Sequence, residues 1–159
     1  MLCIIQARSN SKRFKNKVLH PIHGVPLIQH VINRVKRSRR IKKLIVSSSF
    51  KKSDDNLISY LKKKRIKFFR GNLENVAMRL YKTAKLNKAK SFVRISGDSP
   101  LIDPKLIDKV IEISLREKYF DIITNVFPRT FPKGQSVEVI KTSLIKKYSK
   151  NFSKLDKEH

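Results

Sequence analysis

The chain is poor in most features that narrow a fold or a function on their own. One of its 159 residues is cysteine, Cys3. A lone cysteine excludes a disulfide scaffold, and its place inside an apolar run marks it as a small buried hydrophobe in a reducing compartment. No apolar stretch approaches the roughly 20 residues needed to span a membrane. Only five residues precede Gln6, too few for the core of a signal peptide, and a cytoplasmic protein is expected. Glycine occurs four times, and nowhere closes a Walker A loop with Gly-Lys-Ser/Thr. Acidic residues are scarce, 12 against 38 lysines and arginines, for a net charge of +26. With 40% hydrophobic and 31% charged residues the chain is globular rather than disordered. Its length suits one domain that buries about two-thirds of its unfolded surface.

The charge invites a nucleic-acid reading. Two runs carry much of it, Lys36-Arg37-Ser38-Arg39-Arg40-Ile41-Lys42-Lys43 and Lys62-Lys63-Lys64-Arg65-Ile66-Lys67. Both also fall at the ends of predicted helices, where cations complement the carbonyl end of the dipole and stay solvated. No RNP-like aromatic motif, zinc-finger spacing or helix-turn-helix signal accompanies them, so the solvated reading is preferred. His20, His23 and His30 lie close in sequence, but no further Cys, His or carboxylate stands at a spacing that would complete a metal site.

What is present alternates between strand and helix signals. Leu2 to Ile5 reads as a strand buried on both faces. A helix follows from Leu27 to Arg37 after Gly24-Val25-Pro26, then a strand from Lys43 to Ser47 ending in Ser47-Ser48-Ser49. Those hydroxyls are either nucleotide contacts at a strand end or a solvated turn. Ser53-Asp54-Asp55-Asn56 reads as the cap of a helix to Lys64, and Phe68-Phe69 as a short strand. A helical pattern runs from Val76 to Leu86, a strand from Ser91 to Ile95, and a helix from Lys105 to Lys118 with Ile107, Val110, Ile111 and Leu115 inward. Asp103 is its expected N-cap and Pro104 its first residue. Strands from Asp121 to Thr124 and Val137 to Ile140 flank a Pro-containing loop. The alternation predicts an α/β fold, three layers around a mainly parallel sheet.

Three stretches carry chemistry. After the first strand, Arg8, Lys12, Arg13, Lys15 and Lys17 are set among Ser9, Asn10 and Ser11, a combination suited to phosphate. After the fourth strand, Gly97 clears space before Asp98, a carboxylate placed to hold the Mg²⁺ of a nucleoside triphosphate. Near the end, strand alternation puts Ser136 and Glu138 on one face, and a pocket role for Glu138 is geometrically allowed.

The pattern Ala7-Arg8-x-x-Ser11-x-Arg13-x-x-x-Lys17-x-Leu19 resembles the opening of the cytidylyltransferases that make CMP-activated sugars, the acylneuraminate and CMP-Kdo synthetases. It looks closest to their spore-coat polysaccharide biosynthesis relatives, in which the block begins Ile-Gln-Ala-Arg. Asn10 and Asn16 stand where that family has glycine; Asn is the non-glycine residue that best tolerates positive φ. Gly97-Asp98-x-Pro100-Leu101-Ile102-Asp103 matches a second family motif, whose first Asp meets metal and nucleotide. Arg70, Gly71, Val76 and Arg79 match a third, beside the base. Arg129-Thr130-Phe131-Pro132-x-Gly134 followed by Val137-Glu138-Val139 matches a fourth, bordering the sugar pocket, with Ser136 where the family has Asp.

The resemblance implies the nucleotide-binding half of a sugar nucleotidyltransferase, with CTP and a sugar acceptor as partners and Mg²⁺ as cofactor. Lys17, Arg8 and Asp98 would be catalytic. Ala7, Arg8, Ser11, Arg13, Lys17, Arg70, Gly71, Arg79 and Gly97 would bind nucleotide, and Arg129, Phe131 and Glu138 the sugar. The family pattern continues past Glu158-His159 for a further third of its length, which supplies another carboxylate pair and, in many members, the contacts of a homodimer.

Overall fold

The computed structural model describes residues 1–9 and 14–149. Chain order is β1 (Leu2–Gln6), a two-stranded ribbon of β2 (Pro21–Ile22) and β3 (Val25–Pro26), α1 (Leu27–Lys36), β4 (Lys43–Ser49), α2 (Asp55–Lys63), β5 (Phe68–Gly71), α3 (Val76–Leu86), β6 (Ser91–Ser96), α4 (Pro104–Arg116), β7 (Ile122–Thr124), β8 (Glu138–Lys141) and α5 (Thr142–Tyr148). Six strands form one sheet in the order β5-β4-β1-β6-β8-β7. The first four run parallel, and β8 is antiparallel to both of its neighbours.

The apolar run of β1 explains the layers. Cys3 and Ile5 point to one face, where they join α1, α2 and α4 in a cluster that includes Ile28, Ile32, Leu61 and Ile107. Leu2 and Ile4 point to the other, where Phe92 and Ile140 meet Val76, Leu80 and Ala84 of α3 and Ile145 of α5. A strand with helices on both sides needs apolar residues at every position, as the sequence predicts. Cys3 is fully buried, and burial pushes its thiol pKa well above the ordinary range.

Asp103 caps α4 by accepting from the Lys105 amide at 2.9 Å, with Pro104 at the first position, as expected. Leu115, expected inward, is 64% exposed. The buried stripe of α4 instead passes through Ser114, which satisfies its hydroxyl on the Ile111 carbonyl at 2.7 Å. The α3 cap is Asn75, accepting from Met78 N, whereas Asn72 folds the preceding turn through the amides of Glu74 and Asn75. The basic runs do lie at the carboxyl ends of α1 and α2.

Candidate active site

Strand order reverses at β1, with β4 on one side and β6 on the other. In an open α/β sheet the crevice at the carboxyl ends beside such a reversal is the natural ligand site. The chain leaves β1 there into Ala7-Arg8-Ser9 and leaves β6 there into Gly97-Asp98.

Gly97 sets the spacing of these two exits. Its amide donates to the Gln6 carbonyl at 2.8 Å, and a Cβ on it would lie 2.7 Å from Ala7 Cβ and 2.9 Å from Gln6 O. Real Cβ contacts do not come so close, so only glycine lets the strand ends draw together. Ala7, nearly fully buried, spends its own amide on the Ser47 carbonyl at 3.0 Å. Arg8 follows, half-buried. Ser11 and Arg13 lie outside the described residues.

The loop after β1 returns at Asn16, whose amide reaches the Ser9 carbonyl at 2.9 Å. Asn16 sits at φ 57°, the left-handed conformation for which Asn is the usual substitute for glycine. It leads into a 3-10 turn, Lys17–Leu19, that aims Lys17 back at Asp98: Nζ lies 2.7 Å from Oδ2. The other oxygen, Oδ1, accepts from Ser96 Oγ at 2.6 Å. Partial burial works to raise the Asp98 pKa; the hydrogen bonds from Lys17 and Ser96, with the Lys17 charge, outweigh it and hold the carboxyl below its ordinary value. Asp98 is thus an anion with lone pairs to spare. As a hard oxygen donor it fits a magnesium ion of the kind held by one or two carboxylates together with substrate phosphates.

Behind this pair stands a residue that sequence reasoning cast only as a helix cap. Asp54 is fully buried; its Oδ1 accepts from Ser9 N at 2.7 Å, and its Oδ2 from Ser48 Oγ (2.9 Å), Ser49 N (3.0 Å) and Ser49 Oγ (2.5 Å). It pins the start of the loop after β1 to the end of β4. The serines 47 to 49 are therefore neither nucleotide contacts nor a solvated turn: all three are buried, and Ser48 and Ser49 serve Asp54. Three hydroxyls at a strand end with a carboxylate five residues on was the signal available in the sequence.

Arg79 of α3 is almost fully buried, 1% exposed. Gly71 makes room for it, since a Cβ there would come within 2.8 Å of Arg79 Cγ. Nη1 donates to the Asn72 carbonyl at 2.7 Å, while Nε and Nη2 have no hydrogen-bond partner among the described residues. Burial pulls its pKa down to about 10, with the Asp54 charge opposing and that of Arg8 assisting. Arg70 is committed elsewhere, bridging the Ser49 and Lys51 carbonyls and Asp55.

On the far side of β6, Glu138 is not solvent-facing. It accepts from Arg94 Nη1 at 2.8 Å, and Arg94 Nε reaches Gln6 Oε1 at 3.0 Å, a polar row across three strands at the same edge. Arg129 Nη1 is 3.5 Å from Ser136 Oγ, and Phe131 is 43% exposed. Their loop is held by Gln135, which accepts from Asp103 N at 2.9 Å and donates to Leu101 O at 2.7 Å, so it is fastened to the segment that begins at Asp98. The structure thus gathers Ala7, Arg8, Lys17, Gly97, Asp98, Gly71, Arg79 and Glu138 at one edge of the sheet.

Comparison with known proteins agrees with this fold. Residues 2–156 match the family model described as cytidylyltransferase. A Methanocaldococcus jannaschii protein is 34% identical over 157 residues, covering 98% of this chain. The spore coat polysaccharide biosynthesis protein SpsF of Bacillus subtilis is 35% identical over 116 residues, covering 70% of this chain. The chain spans 63% and 48% of the lengths of these two relatives. The structure of a cytidylyltransferase from Leptospira borgpetersenii superposes with a TM-score of 0.92 at 29% identity, over 99% of this chain and 68% of that one.

Proposed function

Because this chain belongs to the cytidylyltransferase family, we propose that it transfers CMP from CTP to a hydroxyl of an acidic sugar, such as an acylneuraminate, in the cytoplasm, for surface polysaccharide biosynthesis. The observation that carries the reading is the meeting of Lys17 and Asp98, 81 residues apart, at the carboxyl ends of β1 and β6.

The sugar hydroxyl attacks the α-phosphorus of CTP, the bond from that phosphorus to the bridging oxygen breaks, pyrophosphate leaves, and the hydroxyl proton is released to solvent. The chain has little covalent chemistry to do, and its task is to position and to neutralise. Arg8 and Lys17 are assigned to the triphosphate, Ser11 and Arg13 are assigned to it on the sequence pattern alone, and Lys17 balances charge as pyrophosphate departs. Ala7 and Gly97 line the floor. Arg79, buried against Gly71, and Arg70, committed to Ser49, Lys51 and Asp55, support the nucleotide side of the site from within. Arg129, Phe131 and Glu138 border the sugar. A magnesium ion held at Asp98 would screen the phosphates and polarise the phosphorus under attack.

The test is calorimetric titration with CTP, and with ATP, GTP and UTP for comparison. Binding of CTP that is tighter than that of the other three, and that weakens in Lys17→Met, supports the reading. Equal affinity for all four nucleotides, or for none, overturns it.

A further inference from the structure

The parallel topology does something to the charge that the sequence does not show. Helices that return between parallel strands all end at the amino edge of the sheet, so the connections out of α1, α2 and α3 lie side by side there. These connections, residues 37–42, 64–67 and 87–90, hold four, three and two cations and no carboxylate. At the carboxyl edge the connections into α2, α3 and α4 hold two cations against four carboxylates, Asp54, Glu74, Asp98 and Asp103, while the loop after β1 adds five cations of its own. Along β5, β4, β1 and β6 the amino edge is therefore the more basic of the two, a pole opposite the proposed active site.

That pole is built and concave. A cavity of about 620 Å³ opens among the starts of β1, β4 and β6, with Arg39, Arg40, Lys42, Lys43 and Lys90 in its lining. Asp108 fixes one wall, accepting from Ser38 Oγ (2.5 Å), Arg39 N (3.1 Å) and Arg40 N (3.0 Å). Of the five cations only Arg40 has a carboxylate, Glu112 at 3.0 Å; the other four make no ion pair among the described residues. Leu2 and Ile111, both buried, form an apolar floor below the charged rim.

We infer that this pole docks the phosphate backbone of a nucleic-acid strand without regard to sequence. The connections that carry these cations follow one another along the sheet edge from β5 to β6, three inter-strand steps or roughly 14 Å. A row of unpaired cations matches a line of phosphates, and an apolar floor beneath it can receive a base.

The experiment is fluorescence anisotropy with a labelled 20-nucleotide oligothymidylate, over a range of salt, on the wild-type chain and two variants checked for native circular dichroism. One carries Arg39→Gln, Lys42→Gln, Lys43→Gln and Lys90→Gln. The other loses equal charge from exposed positions away from the pole, through Lys51→Gln, Lys52→Gln, Lys105→Gln and Lys133→Gln. The pole variant should bind at least about tenfold more weakly at ~0.1 M salt, with a log–log salt slope shallower by up to about 3. The second should stay within about threefold of wild type, and saturating CTP should change nothing. Equal losses in both variants, competition by CTP, or binding of phosphatidylserine vesicles in place of the oligonucleotide would each overturn the inference.

Discussion

Lys17 Nζ lies 2.7 Å from Asp98 Oδ2, which joins the loop after the first strand to the loop after β6. Both side chains are more than a third exposed, so the pair adds little to stability: about 0–1 kcal/mol is typical for such pairs. Its value lies in placement. Lys17→Met should therefore leave Tm within about 2–3 °C of wild type while lowering turnover by roughly 10²-fold or more. Calorimetry and a turnover assay on one sample separate the two effects.

The same pair gives a pH dependence with a definite sign. The Asp98 pKa is lower folded than unfolded, so its contribution is present above the unfolded carboxyl value, about 3.9, and is lost as pH falls through the folded one. Between pH 5 and 3 the wild-type Tm should fall more than that of Asp98→Asn, which has no such proton to take up. The difference is expected at about 1–2 °C, because solvent screens the site. Parallel curves for the two proteins would refute it.

Gly97→Ala should be costly although its φ is ordinary. The added methyl meets Ala7 Cβ at 2.7 Å and the Gln6 carbonyl at 2.9 Å, and backbone has nowhere to go. About 1–3 kcal/mol of destabilisation is expected in urea unfolding. Gly24→Ala is the contrast: nothing lies within 4 Å of the new methyl, and only the φ of +75° resists, at about 1–2 kcal/mol. Gly97→Ala should also disturb CTP binding, and Gly24→Ala should not.

Asp54→Ala would strand four buried donors, from Ser9, Ser48 and Ser49, and should cost about 3 kcal/mol or more. Asp54→Asn keeps one acceptor oxygen and should fall between it and wild type. Because Asp54 holds the loop after β1, the Asn variant should raise the KM for CTP more than it lowers kcat.

Much of this was legible in the sequence, for local reasons. Four apolar residues in a row at Leu2–Ile5 announce a strand covered on both faces, and Asp103-Pro104 announces a helix start. Asn16 is readable as a left-handed residue. Less visible were relations that depend on which strands are neighbours. Arg94, Glu138 and Gln6 form a row only because β8 inserts antiparallel beside β6, and no period within β8 specifies that partner. Asp54 looks like a cap because its sequence neighbours are helical, while its donors come from β4 and from a loop 45 residues away. Leu115 fits the helical period, yet the stripe on α4 turns to Ser114 near the helix end.

The most direct test of the central claim is pyrophosphate release by this chain from CTP and magnesium in the presence of a panel of acidic sugars. The account predicts release that requires both CTP and a sugar, and that disappears in Lys17→Met and in Asp98→Asn. Release that persists in both variants, or none with any sugar, would contradict it.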